Sequence, residues 1–123
     1  QNAREPDAVR NLLAAALPER HLKFFRSLEL MATYGDYVFV HAGIRPNLPL
    51  ALQQEQDLLW IREEFLNSGN RFEKVVVHGH TPTEQPVIRP NRIGIDTGAY
   101  ATGRLTCLVL DGERRYFLAT APS

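Results

Sequence analysis

The 123-residue sequence lacks the features that usually place a chain in a special class. It has one cysteine, Cys107, so no internal disulfide can form. A chain of this length buries roughly two-thirds of its unfolded surface and needs neither disulfide nor metal merely to hold a core. Neither charge is in excess, with 14 Lys+Arg against 14 Asp+Glu, and no basic block occurs. The electrostatic footprint of a nucleic-acid or anionic-membrane binder is therefore missing. No apolar run approaches the roughly 18 residues that a membrane span requires. Gln1-Asn2-Ala3-Arg4-Glu5 is too polar to open a secretory signal. These absences predict a cytoplasmic protein without nucleic-acid or membrane partners. Repeats, low-complexity tracts and Ser/Gly linkers are also wanting, so 1–123 reads as one domain or part of one. The first residue is Gln rather than Met, and an upstream segment is expected.

What is present divides into helices first and mostly sheet afterwards. Ala8, Val9, Leu12, Leu13 and Leu17 form one helical stripe with Asp7 placed as its N-cap, and Leu17-Pro18 should end it. A second helix from Glu19 to about Leu28 is expected to turn Leu22, Phe24, Phe25 and Leu28 mostly inward, before a turn at Gly35-Asp36. Tyr37-Val38-Phe39-Val40 has the composition of a strand buried on both faces. Leu50 to Gln56 reads as a short helix or loop. Asp57 is then placed to cap a helix through Trp60 and Leu66, ending near Asn67-Ser68-Gly69-Asn70. Lys74-Val75-Val76-Val77 reads as a second buried strand. Four short antiparallel strands follow, at Gln85 to Arg89, Arg92 to Asp96, Arg104 to Leu110 and Glu113 to Leu118. They turn at Pro90-Asn91 and Asp111-Gly112.

Both apolar strands deliver a histidine to a Gly-containing turn at the carboxyl end, His41-Ala42-Gly43 and His78-Gly79-His80-Thr81-Pro82. In α/β folds ligand sites collect at such ends. Gly43 and Gly79 would permit backbone angles that a side chain forbids. Neutral imidazole is the commonest metal ligand, so the pair is a candidate metal site, the alternative being two satisfied structural side chains. Arg62 follows Leu58-Leu59-Trp60-Ile61. Its planar fork suits two phosphate oxygens, or else an ion pair with Glu55, Glu63 or Glu64. Asp96-Thr97-Gly98-Ala99 ends a third strand, where Asp96 could order a histidine or form an Asx turn with Gly98 at positive φ. His21 reads as a surface residue and Cys107 as a packed strand residue.

Taken in order, Tyr37-Val38-Phe39-Val40-His41-Ala42-Gly43-Ile44, Leu58-Leu59-Trp60-Ile61-Arg62, Val75-Val76-Val77-His78-Gly79-His80-Thr81-Pro82 and Ile93-Gly94-Ile95-Asp96-Thr97-Gly98-Ala99 resemble the carboxyl-terminal half of a bacterial serine/threonine protein phosphatase. The family is that of the calcineurin-like metallophosphoesterases, which includes the similar symmetrical diadenosine tetraphosphatases, and the resemblance runs from about Leu17 to Leu118. It implies an α/β (α+β) fold, a mixed β-sandwich flanked by helices, of which the amino-terminal half is missing. The implied cofactors are two divalent metal ions, Mn first, with Fe, Zn or Mg as other choices. By motif, His41 and His80 match metal ligands and Arg62 the phosphate-binding residue. His78, Asp96 and Thr97 match supporting positions. The implied reaction is phosphoester hydrolysis by a metal-activated water, with a phosphorylated protein or small phosphoester as substrate.

The family's G-D-x-H-G, G-D-x-x-D-R-G and G-N-H-E motifs do not occur in the sequence. They carry the remaining ligands, so an inactive fragment needing the missing half is expected. Three other readings stay open at this point. One is a diadenosine tetraphosphate hydrolase and another a non-catalytic interaction module on the same scaffold. The third is a retropepsin-like aspartic protease built on Asp96-Thr97-Gly98, which leaves His41, His80 and Arg62 unexplained.

Overall fold

Residues 4–121 are described by the structure, a computed structural model; the Gln1–Ala3 opening lies outside them. Helix α1 (Arg4–Ala16) and helix α2 (Glu19–Ser27) are separated at Leu17-Pro18, as the proline dictates. Asp7 is not an N-cap: it sits within the first turn of α1, where a carboxylate still complements the helix dipole. Nor does α2 turn its apolar side chains inward. It holds no buried residue, and Phe24, Phe25 and Leu28 are all more than half exposed.

Two strands follow as a hairpin, β1 (Met31–Tyr34) and β2 (Tyr37–Val40), about Gly35, whose φ of 55° suits a residue without Cβ. The sequence pattern does not announce β1. A 3-10 turn at Leu50–Leu52 leads to α3 (Glu55–Trp60) and α4 (Glu63–Leu66). The single helix capped by Asp57 is thus two short ones. Gln54 occupies the cap position, Asp57 lies in the first turn, and the chain turns extended at Ile61 (ψ 145°) before Arg62 starts α4. Strand β3 (Val75–His78), the hairpin β4 (Val87–Ile88) and β5 (Arg92–Gly94), a turn of helix α5 (Ala99–Thr102), and the hairpin β6 (Thr106–Asp111) and β7 (Arg114–Ala119) complete the chain.

Five strands form one mixed sheet in the order β1-β2-β3-β5-β4, while β6 and β7 pair separately. β2, β3 and β5 are parallel neighbours, with Val38 opposite Val76 and Val77 opposite Ile93. The sheet edges β1 and β4 run antiparallel. Strand β5 therefore does more than close a hairpin, because it also joins β3 in parallel.

One face of the sheet packs on α3 and α4. Val38, Val40, Ala42, Ile44, Leu58, Ile61, Phe65 and Val76 form the core. Each fully buried side chain of this kind contributes roughly 1.5–3 kcal/mol. β2 alternates, with Val38 and Val40 buried and Tyr37 and Phe39 half-buried, so burial on both faces holds for β3 and not for β2. Phe39 and Val77 instead line a groove of about 380 Å³ that reaches Leu105 and Thr106 on the far side. Cys107 lies in β6 as expected, yet it is exposed rather than packed, on the face of the two-stranded ribbon opposite the buried Thr106. His21 is exposed. No helix among the described residues is long and apolar enough to cross a membrane.

Candidate functional site

Three parallel strands end side by side, and each hands the chain to a polar turn at the same edge of the sheet. His41 follows β2, His78 closes β3 with His80 two residues on, and Asp96 lies two residues beyond β5. Because β2, β3 and β5 are adjacent parallel strands, these turns are neighbours, which is why residues 39 apart in sequence meet. His41 Nε2 and His80 Nδ1 are 3.1 Å apart, the rings crossing edge-on at 4.9 Å between centroids. The Gly79 N–H donates to the His41 carbonyl at 2.8 Å and locks the two turns together.

The strained residue here is His80 and not a glycine. His80 has φ 67°, whereas Gly79 shows no positive φ. The Thr81 N–H donates to the Gly79 carbonyl at 2.7 Å, so His80 is the middle of a three-residue γ-turn of the rare positive-φ kind. A non-glycine residue held there costs about 1–3 kcal/mol and persists only where its surroundings over-determine it. Gly43 is required for space: the Phe65 ring occupies the position that a Cβ would take.

His80 is half-buried, and its Nε2 is buried without a hydrogen-bond partner. Its pKa is held below the ordinary histidine value, first by desolvation and then by the positive charges of Arg62 and His41, with Asp96 pulling the other way. The shift favours the neutral imidazole, the form that can ligate. Trp60 stands perpendicular to His80 with centroids 5.7 Å apart, and it remains exposed.

Arg62 is exposed at the break between α3 and α4. The expected ion pairs with Glu55, Glu63 or Glu64 do not form among the described residues. Glu64 instead accepts from Arg45, whose guanidinium also grips Asp57 through both carboxylate oxygens at 2.7 and 2.8 Å. Among the described residues Arg62 is left without an acidic partner, and its charge acts on His80.

Asp96 orders its own turn. Its Oδ1 accepts the Gly98 N–H at 3.0 Å, with Gly98 at φ 66°, which is the Asx turn. Thr97 is buried and its hydroxyl donates to the Arg104 carbonyl at 2.8 Å, 2.8 Å also from the Thr106 hydroxyl, tying the turn to β6. His78 is buried edge-on to Phe65, and burial pulls its pKa down to about 4, so it is neutral. Arg92 Nη1 lies 3.1 Å from His78 Nε2. Neither Arg92 nor Arg45 stands out in the sequence, because a strand arginine and a loop arginine have no periodicity that betrays a buried or bidentate partner.

His41 and His80 present two imidazole nitrogens as candidate metal donors. Two nitrogens each roughly 2.1 Å from one ion lie about 3.0–3.4 Å apart at ligand angles from 90° to tetrahedral, and the observed 3.1 Å falls in that range. The separation suits two donors to one ion and equally the hydrogen bond that the pair makes as it stands, one ring N–H donating to the other ring's nitrogen. Among the described residues no group of three or more His, Cys, Asp or Glu side chains comes together to complete a set.

No protein-family model matches the chain, and no curated protein is significantly similar to it. Among solved structures, a crystal structure described as a "putative diadenosine tetraphosphatase" superposes with a TM-score of 0.72 at 22% sequence identity. The match covers 90% of this chain and 60% of that one. The likeness is one of fold, a mixed α/β arrangement, and the chain spans less than two-thirds of that neighbour's length.

Proposed function

We propose that the chain contributes the two-histidine and arginine side of a metal-dependent phosphoester hydrolase site. The observation that carries the reading is the convergence of His41 Nε2 and His80 Nδ1 at 3.1 Å, at the carboxyl ends of parallel strands. His41 and His80 would hold a divalent ion, which when bound acts as a Lewis acid and lowers the pKa of water. Arg62, which pairs with no carboxylate among the described residues, would take two non-bridging phosphate oxygens in its fork and offset the charge that grows on them. Trp60 would keep solvent from one side of His80. Phosphoserine or phosphothreonine in a protein is the first substrate class proposed, and Mn²⁺ the first metal. A diadenosine tetraphosphate substrate is the second reading, supported by the described activity of the structural neighbour.

The test uses Trp60, the one tryptophan of the chain. Co²⁺ is expected to quench its fluorescence in the wild type and to lose that effect in His41→Ala and His80→Ala. Arg62→Ala should keep the quenching and lose protection of the site by added inorganic phosphate. Equal quenching in the double histidine variant, or none in the wild type, would overturn the proposal. Assays with a phosphoserine peptide and diadenosine tetraphosphate on a full-length chain that carries the remaining motifs, with Mn²⁺ supplied, then separate the two substrate readings.

A further inference from the structure

Arg92 presents an energetic problem. It is only 7% exposed, yet no carboxylate lies within ion-pair distance of it among the described residues, and its Nε is buried without a partner. A guanidinium taken out of water without a counter-charge is expensive to keep. Its compensation comes from elsewhere: the Phe65 ring, 6.0 Å below the guanidinium carbon, and His78 Nε2, 3.1 Å from Nη1. Gly94 makes the room. A Cβ there would stand 3.2 Å from the His78 ring and 3.7 Å from Arg92 Nη1.

The donor chemistry then fixes a proton. A guanidinium can only donate, so His78 Nε2 is the acceptor and the imidazole proton resides on Nδ1. That nitrogen faces the Gly79 carbonyl at 3.3 Å. The same carbonyl receives the Thr81 N–H, and the Gly79 N–H donates to the His41 carbonyl. The peptide units on either side of Gly79 are therefore held by His41, His78 and Thr81 together. They set the left-handed conformation of His80 and with it the direction of its ring.

We infer that Arg92 is a positioning residue, acting through the His78 imidazole and the Gly79 carbonyl to hold His80 against His41. The inference rests on the reading of His41 and His80 as metal-binding groups. Its physical content is pre-organisation: direct hydrogen-bond partners of a ligand change metal affinity about 10–100-fold when lost, and Arg92, acting through His78 and the Gly79 carbonyl, is expected at the lower end. The buried arginine, which contributes no ion pair, is thereby accounted for by the strain it helps to impose two residues beyond its histidine.

The experiment has two arms on the full chain, with Zn²⁺ alone as the probe. In the wild type, long-range ¹H–¹⁵N NMR is expected to show His78 with its proton on Nδ1; a proton on Nε2 would overturn the relay without any variant. In the second arm, Arg92→Met keeps the apolar stem and removes the donors. It should weaken Zn²⁺ binding about tenfold and shift the His80 ring resonances, with Arg92→Lys restoring part of both. A purely structural role would lower thermal stability and leave Zn²⁺ affinity of the folded protein unchanged, and that result would overturn the inference. A wild type that binds no Zn²⁺ would overturn the metal reading of the histidine pair. The relay would then be decided by the His78 proton and by whether Arg92→Met moves the His80 resonances.

Discussion

The segment from β2 to β5 and the helices α1 and α2 are comparably rich in apolar residues, but only the first hides them. Phe65 and Val38 are fully buried, whereas Leu12 is 72% exposed and Phe25 56%. The difference is one of partners. Strands β2 and β3 have a sheet neighbour on each side and two short helices over one face, while α1 and α2 present a stripe that nothing among the described residues covers deeply. A periodic stripe states which face of a helix would be buried. Whether anything lies against it is a separate fact. The histidine pair belongs to the packed segment, and its geometry is anchored by that segment's core.

Mutations can break or sharpen this contrast. Phe65→Ala should have the largest effect, a loss of about 3–5 kcal/mol in urea unfolding, because the ring fills the core, underlies Arg92 and abuts His78. A loss near that of a surface change would mean that the core is not where the stability lies. Gly43→Ala comes next, at about 1–3 kcal/mol, since the new methyl must displace the Phe65 ring. Adding Phe65→Leu to it should recover part of the loss, a non-additive pair in a double-mutant cycle.

A smaller effect concerns the brace between the loop after β2 and α3. The Arg45 guanidinium holds the Asp57 carboxyl below its ordinary pKa. A depressed carboxylate contributes stability that is fully present above about pH 4 and is lost as pH falls through the folded value. Acid titration of unfolding should therefore separate wild type from Asp57→Asn above about pH 4 and bring the two together as pH falls through the lower folded value. Curves that stay parallel would exclude the brace. The smallest effect is expected from Leu12→Ala and Phe25→Ala, within about 0.5 kcal/mol of wild type. A loss of several times that amount would show that the α1 and α2 stripe is covered in solution, and the contrast between the regions would disappear.

Much of the frame was legible in order and kind. The proline break at Leu17-Pro18, the apolar runs of β2 and β3 and the Asx turn at Asp96 follow from local chemistry and are present, and the last hairpin forms one residue later than expected, turning at Gly112-Glu113 with Asp111 still paired to Arg114. Strand β1 was not legible: Met31-Ala32-Thr33-Tyr34 is short and three of its four residues are exposed, so it leaves no alternation to detect. The break at Ile61 was hidden for another reason. Leu58, Ile61 and Phe65 keep helical spacing across it, and only packing against the sheet reveals that the chain is extended between them.

The site divides in the same manner. His41, His80, Arg62 and Asp96 could be singled out because each ends or follows a recognisable apolar run. The left-handed turn at His80, the perpendicular Trp60 and the buried Arg92 could not, since each depends on what stands across the sheet edge. The sequence by itself determined which strands exist, where they end and which imidazoles those ends carry, because strand-forming side chains and turn residues act over a few positions. Tertiary structure alone decided that two of those imidazoles face each other at 3.1 Å. That distance is set by the parallel pairing of β2 with β3 and by the hydrogen bond from Gly79 to His41, which are contacts between segments that no local preference encodes.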